Sequence, residues 1–124
     1  MTKILDGIVQ VNHEELKKHL ESKNSIVIDV RELEEYVEAH IPGLPLIPMS
    51  EIAELVNLFD KDRNYVFVCR SGRRSQIVSQ FFKDNGIENV MNYQGGMLEW
   101  SGETSPGEEF IIKDVNQLYT NEEE

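Results

Sequence analysis

Short apolar runs alternate along this chain with longer stretches in which apolar residues recur at helical spacing. The runs Ile8–Val11, Ser25–Val30, Tyr65–Cys69 and Asn89–Tyr93 are rich in β-branched or aromatic residues and bounded by Gly, Asn, Asp or Arg, which predicts strands. Leu46–Pro48 is a less regular strand candidate, because prolines bracket it. Between the runs lie helical signals. Asn12, with Glu15 three residues later, reads as a capped helix start, after which Leu16 and Leu20 share one face. Ser50 reads as a second N-cap, followed by Ile52, Leu55, Val56 and Phe59 as a buried stripe. Ile77, Val78, Phe81 and Phe82 form a third stripe that ends at Asn85-Gly86, a helix stop. Strand and helix alternate, so the expected class is α/β with a mainly parallel sheet and right-handed crossovers covering both faces.

Length and composition narrow the classes that remain. At 124 residues, with 40% hydrophobic and 28% charged positions, the chain suits one globular domain and not a disordered or low-complexity segment. A net charge of -11 disfavours nucleic acid and anionic membrane surfaces as partners. The charge is uneven: from Arg63 to Lys83 there is no acid, while Arg63, Arg70, Arg73, Arg74 and Lys83 all fall within the window. From Glu103 onward the chain carries seven acids against the single base Lys113, which marks residues 103–124 as an acidic extension to a domain spanning 1–102. That extension holds its own apolar cluster, Phe110, Ile111, Ile112 and Val115, suited to packing back as a short strand or helix, although its simplest expected role is solubility. The one cysteine excludes a disulfide framework, and His13, His19 and His40 lack a zinc spacing, so neither a metal nor a cofactor is implied. The opening MTKILDGIVQVN, broken by Asp6 and Gly7, does not read as a signal peptide, and nothing approaches the roughly 20 apolar residues of a membrane span. A free thiol without an export signal leads to the expectation of a reducing cytoplasm.

The single cysteine, Cys69, lies inside the acid-free window at the end of the continuously apolar run Tyr65–Cys69, as in a strand buried on both faces. An isolated cysteine in a strand is most often a core residue. Here the following Arg70-Ser71-Gly72-Arg73-Arg74-Ser75 is polar, glycine-containing and rich in arginine, and it leads straight into a helix. Ligands of open α/β sheets bind at the carboxyl ends of strands, where loop N–H groups and a helix N-terminus form a nest for anions. An ordinary thiol, with a pKa of about 8.5, is mostly protonated at neutral pH, so such a setting favours the thiolate and nucleophilic cysteine chemistry. At least one of the arginines has the simpler reading of a solvated helix face.

Three segments then point to a family. Asp29-Val30-Arg31-Glu32, Glu35-Tyr36 and His40-Ile41-Pro42-Gly43 form one, Cys69-Arg70-Ser71-Gly72-Arg73-Arg74-Ser75 the second, and Gly95-Gly96-Met97-Leu98-Glu99-Trp100 the third. In this order and spacing, from about Ile8 to Trp100, they resemble the signatures of the single-domain rhodanese family of sulfurtransferases. Ala39 stands where that family often has glycine, and Leu44-Pro45-Leu46-Ile47-Pro48 replaces its commoner A-x-N-I-P, which bears on the local turn. The resemblance implies a three-layer rhodanese-like fold, with a mainly parallel sheet of about five strands flanked by helices. It implies that Cys69 takes a sulfur atom from a small anionic donor such as thiosulfate, becomes a persulfide, and passes the sulfur to cyanide, a thiol or a sulfur-relay protein. Residues 70–74 would supply backbone N–H groups, Arg70, Arg73 and Arg74 would attract the donor without a ranking among them, and Ser71, Gly72 and Ser75 would complete the loop. Asp29 would brace that loop or serve as a strand-end turn residue, Arg31 would pair with Glu35, His40 would order the Ile41-Pro42-Gly43 turn, and Gly95, Gly96 and Trp100 would serve packing and turn chemistry.

Two other classes compete. Phosphatases and cysteine-type arsenate reductases place an arginine six positions after the cysteine, where this chain has Ser75; Arg74 comes one residue early, so the loop suits a sulfur atom better than a phosphate. A rhodanese-like sulfur-carrier or regulatory module without turnover is the second. Such modules often lack the cysteine, which this chain retains. With no second cysteine, a persulfide must discharge to an external thiol or partner.

Overall fold

The computed structural model describes residues 3–120. Residues 121–124 of the acidic extension, and Met1 and Thr2, lie outside the described residues. In chain order the elements are β1 (Lys3–Leu5), β2 (Ile8–Val11), α1 (His13–Glu21), β3 (Ser25–Asp29), α2 (Leu33–Glu38), α3 (Met49–Leu55), a 3-10 turn at Val56–Leu58, β4 (Asn64–Val68), α4 (Arg73–Asp84), β5 (Val90–Tyr93), α5 (Gly96–Glu99) and a second 3-10 turn at Val115–Leu118. The five strands form one sheet in the order β1-β2-β5-β4-β3. All neighbours are parallel except β1 and β2.

Alternation along the strands creates two cores, because successive side chains leave a strand on opposite faces. Ile26, Ile28, Tyr65, Phe67 and Cys69 point to one face, where Ile52 of α3, Val78 and Phe82 of α4 and the C-terminal Val115 and Leu118 cover them. Val27, Val66, Val68 and Tyr93 point to the other, under Leu16 of α1, Ile41 and Leu44. The result is the helix–sheet–helix sandwich that the pattern predicts, with β4 paired on both sides.

Several elements depart from the expectation. β1 was not among the expected strands: it is three residues long, with Ile4 and Leu5 exposed, and its hairpin to β2 turns through Asp6 and Gly7 at φ 49° and 80°, the positive values a two-residue hairpin needs. The expected N-cap at Ser50 is corrected. α3 starts at Met49, and Pro48, whose missing N–H costs a helix start nothing, accepts from the Glu51 and Ile52 N–H groups. Ser50 lies in the first turn and donates its hydroxyl to Glu32 at 2.8 Å. The Asn12–Glu15 capping box forms as read. The Leu46 candidate survives as single bridges to Asp29 and Ile111, limited by its prolines.

The largest correction concerns the acidic extension, whose charge placed it outside the core. Val115 and Leu118 are only 3% and 9% exposed and belong to the α3/α4 core. Ser105 pairs with His40 through both backbone groups, and the Tyr119 hydroxyl meets that of Tyr65 at 2.7 Å. The apolar cluster packs back as a bridge and a 3-10 turn, with the described acids Glu103, Glu108, Glu109 and Asp114 exposed. Among the described residues, no helix is long and apolar enough to cross a membrane.

Candidate active site

Cys69 follows the last residue of β4 and is fully buried. The chain must turn within three residues to enter α4, and Gly72 makes this possible: it sits at φ 89°, and a Cβ there would lie 2.1 Å from the Gln94 carbonyl oxygen. The turn brings the α4 N-terminus onto the sulfur. The N–H groups of Gly72 and Ser75 donate to Cys69 Sγ at 3.1 and 3.3 Å, and the Ser75 hydroxyl lies 3.2 Å away. α4 has no side-chain cap, since its N-cap residue is glycine. The sulfur therefore does the work of a cap, taking the third-position N–H that would otherwise be orphaned in the interior. The partial positive charge of this helix end and two N–H donors therefore face the sulfur.

The third sequence segment clasps the loop from the other side. α5 begins at Gly96, at φ 62°, and its Met97 and Leu98 N–H groups donate to the carbonyls of Cys69 and Arg70 at 2.9 and 3.0 Å. A Cβ on Gly96 would lie 2.3 Å from the Arg70 oxygen. The Gly95–Trp100 segment is thus part of the support of the cysteine loop, beyond general packing.

The three loop arginines separate. Arg74 makes a two-pronged pair with Glu35 at 2.7 and 2.8 Å, tying α4 to α2. Arg70 and Arg73 are exposed. Arg70 lines a cleft of about 250 Å³ with Arg31, Glu35, Met97 and Leu98. A larger cleft, about 670 Å³, opens near the start of β3 between Leu20, Phe110 and Leu118, and no residue of the cysteine loop lines it.

The expected pairing of Arg31 with Glu35 is corrected. Arg31 forks onto Asp29, with contacts of 2.8 to 3.1 Å, and reaches the Ala39 carbonyl, so it does not pair with Glu35. Asp29 also accepts the Arg31 N–H, and among the described residues it makes no hydrogen bond to the Cys69 loop. Two residues of spacing on an extended chain end place guanidinium and carboxylate together, whereas Glu35, on the helix that follows, faces Arg74. His40 serves its turn indirectly: it stacks on Tyr36 and meets Glu109, which also accepts the Gly43 N–H. Glu109 lies in the C-terminal segment, a partner that nothing near His40 in sequence could reveal.

The Arg74 guanidinium holds the Glu35 carboxyl down to about 2, from an ordinary 4.5. A lowered carboxylate contributes stability above its unfolded value and loses it as pH falls through its folded one. Glu35→Gln is therefore expected to flatten the loss of stability between about pH 4.5 and 2, as read by chemical denaturation at several pH values. Parallel curves for the variant and the native protein would show that the pair contributes nothing.

Sequence reasoning missed Gln10, Gln76 and Asn92, polar residues buried directly beneath the loop. For Gln10 and Asn92 the available signal was a polar side chain at an interior position of an otherwise apolar strand, whereas Gln76 lies on α4 and had no such signal.

Comparison with known proteins agrees with this geometry. The model of the rhodanese-like domain matches residues 12–103. The chain is 42% identical over 100 residues to YtwF of Bacillus subtilis, whose sulfurtransferase name is provisional; the match covers 80% of this chain and 96% of that protein. It is 37% identical over 99 residues to YrkF of the same organism, provisionally named a sulfur carrier protein, covering 79% of this chain but 54% of that longer one. Among solved structures, a rhodanese-like domain protein from Staphylococcus aureus superposes with a TM-score of 0.71 at 38% identity, covering 80% of this chain and 98% of the other. With a mainly parallel sheet, a cysteine at a strand end and a helix N-terminus closing on its sulfur, the chain belongs to the rhodanese-like domain family.

Proposed function

We propose that the protein is a sulfurtransferase in which Cys69 carries the moving sulfur atom. The observation that bears most weight is the set of donors aimed at its Sγ from the start of α4. In the first step the Cys69 thiolate attacks the outer sulfur of thiosulfate. A Cys69–sulfur bond forms, the sulfur–sulfur bond of the donor breaks, and its electron pair leaves with sulfite. The product is a persulfide whose negative charge sits on the terminal sulfur, which the loop N–H groups of residues 70–74 would stabilise. In the second step an acceptor thiolate attacks that terminal sulfur and releases the Cys69 thiolate.

Arg70 and Arg73, which are exposed, fit the role of drawing in the anionic donor, while Arg74 is engaged with Glu35. Attraction of this kind acts over only about 8 Å at physiological salt, so it coexists with the net charge of -11. Asp29 and Arg31 support the site from one step away, by fixing the chain between β3 and α2. A free thiol of this kind suits a reducing cytoplasm.

Incubation with thiosulfate is expected to add one sulfur atom to the intact protein mass, a gain absent from Cys69→Ser. An unchanged mass would end the sulfurtransferase reading. If the sulfur loads but no small thiol discharges it, the protein is a sulfur carrier for a protein partner, the reading favoured by its likeness to YrkF.

A further inference from the structure

Beneath the loop runs a buried chain of polar side chains that the transfer reaction as written does not use. Gln10 and Asn92 are register partners on neighbouring strands, and Ser75 and Gln76 face them from α4. Backbone carbonyls, which can only accept, determine which way round each amide lies. Gln76 Nε2 donates to the Leu5 carbonyl at 2.9 Å, Gln10 Nε2 to that of Ile8 at 3.0 Å, and Asn92 Nδ2 to that of Gly72 at 3.0 Å. The remaining bonds then follow in one direction. Gln76 Oε1 accepts from Gln10 Nε2 at 2.7 Å, Gln10 Oε1 from Asn92 Nδ2 at 2.8 Å, and Asn92 Oδ1 is left facing the Ser75 hydroxyl.

Ser75 is thus placed between two acceptors with one proton to give, because its Oγ lies against both Asn92 Oδ1 and Cys69 Sγ. We infer that the Ser75 hydroxyl is a two-position switch that follows the charge on the Cys69 sulfur, and that Asn92 is the positioning residue supplying its alternative acceptor. With a neutral thiol, the S–H donates to Ser75 Oγ and the hydroxyl donates to Asn92, so every group is satisfied. Once the thiol proton has left to solvent, the hydroxyl turns to the thiolate, where a charge-assisted bond is the stronger one. In the persulfide, a state that rests on the proposed function, the charge moves to the terminal sulfur and the hydroxyl returns to Asn92. Only hydrogen bonds change at Ser75.

The test reads the free thiol and needs no sulfur donor, so its outcome is separate from that of the loading experiment. Alkylation by iodoacetamide is measured on the rising limb of the native pH–rate profile. Ser75→Ala, which removes a thiolate donor, is expected to slow it about threefold to tenfold. Asn92→Leu, which removes the competing acceptor, is expected to speed it about twofold or more, and the double variant to match Ser75→Ala alone. If Asn92 only props the loop, Asn92→Leu slows the reaction and the double variant is slower still, which overturns the switch. The native protein gives a second measurement that does not depend on an Asn92 variant folding. At a pH on the upper plateau of the alkylation profile, where Cys69 is the thiolate, the Asn92 side-chain carbonyl resonance is expected to move when methyl methanethiosulfonate caps Cys69, and to stay in place in Ser75→Ala. No movement in the native protein, or equal movement in both, also overturns it.

Discussion

Gly72→Ala is expected to remove sulfur loading and to lower the melting temperature by roughly 10 °C or more. Two costs coincide at this position. A φ of 89° is unfavourable for any side chain, at about 1–2 kcal/mol, and the new Cβ would sit 2.1 Å from the Gln94 carbonyl oxygen, which is backbone and cannot move aside cheaply. Relief requires the loop to shift away from β5, and that shift carries the Gly72 N–H off the Cys69 sulfur. Gly43→Ala separates the two costs, because Gly43 has φ 80° with nothing within 4 Å of its Cβ position. That variant should lose only the backbone component and load sulfur as the native protein does. Thermal melts and intact mass after thiosulfate treatment read both outcomes, and equal behaviour of the two variants would refute the close-approach argument.

Removing residues 103–124 should leave a chain that does not fold stably. Full burial of a Val or Leu side chain contributes about 1.5–3 kcal/mol, and the deletion removes both Val115 and Leu118 from the α3/α4 core. It also takes the Tyr119 hydroxyl from Tyr65 and strips the backbone partners from His40 and Leu46. Against a typical total of about 5–15 kcal/mol, such a loss reaches the whole margin. Urea denaturation of the full chain, of the chain ending at Gly102, and of Val115→Ala with Leu118→Ala gives the comparison. The double substitution should fall between the other two. A shortened chain with the native midpoint would establish residues 103–124 as a separate appendage.

The contrast between these regions shows what local pattern conveys. β4 and the Cys69 loop were readable because every signal lies in one continuous stretch from Tyr65 to Phe82: apolar run, thiol, glycine, polar loop and helix stripe. The Asn12–Glu15 box was readable for the same reason. Pairings across distance were not. Arg31 has Asp29 two positions away and Glu35 four positions away, and helical spacing selects the wrong one when only the second residue lies in the helix. The apolar cluster with Val115 was visible in the acidic extension, but Leu118 and the depth of burial were not, since a segment pinned by a few buried side chains can carry any charge on its outer side. Asn92 could be flagged as a polar residue within a strand, but its connection to Ser75 and Gln10 depends on sheet order, which the chain does not spell out locally.

The use of the sulfur as the cap of α4 separates architecture from chemistry at one atom. Any short side chain with an acceptor can hold that helix end, and aspartate, serine and asparagine are the usual choices. A chain with aspartate in place of Cys69 would keep the loop closed and its preference for negative charge, with nothing left that can take up sulfur. The scaffold can therefore outlive its reaction, and an unreactive descendant would still present a small, positively lined hollow ready for another anion.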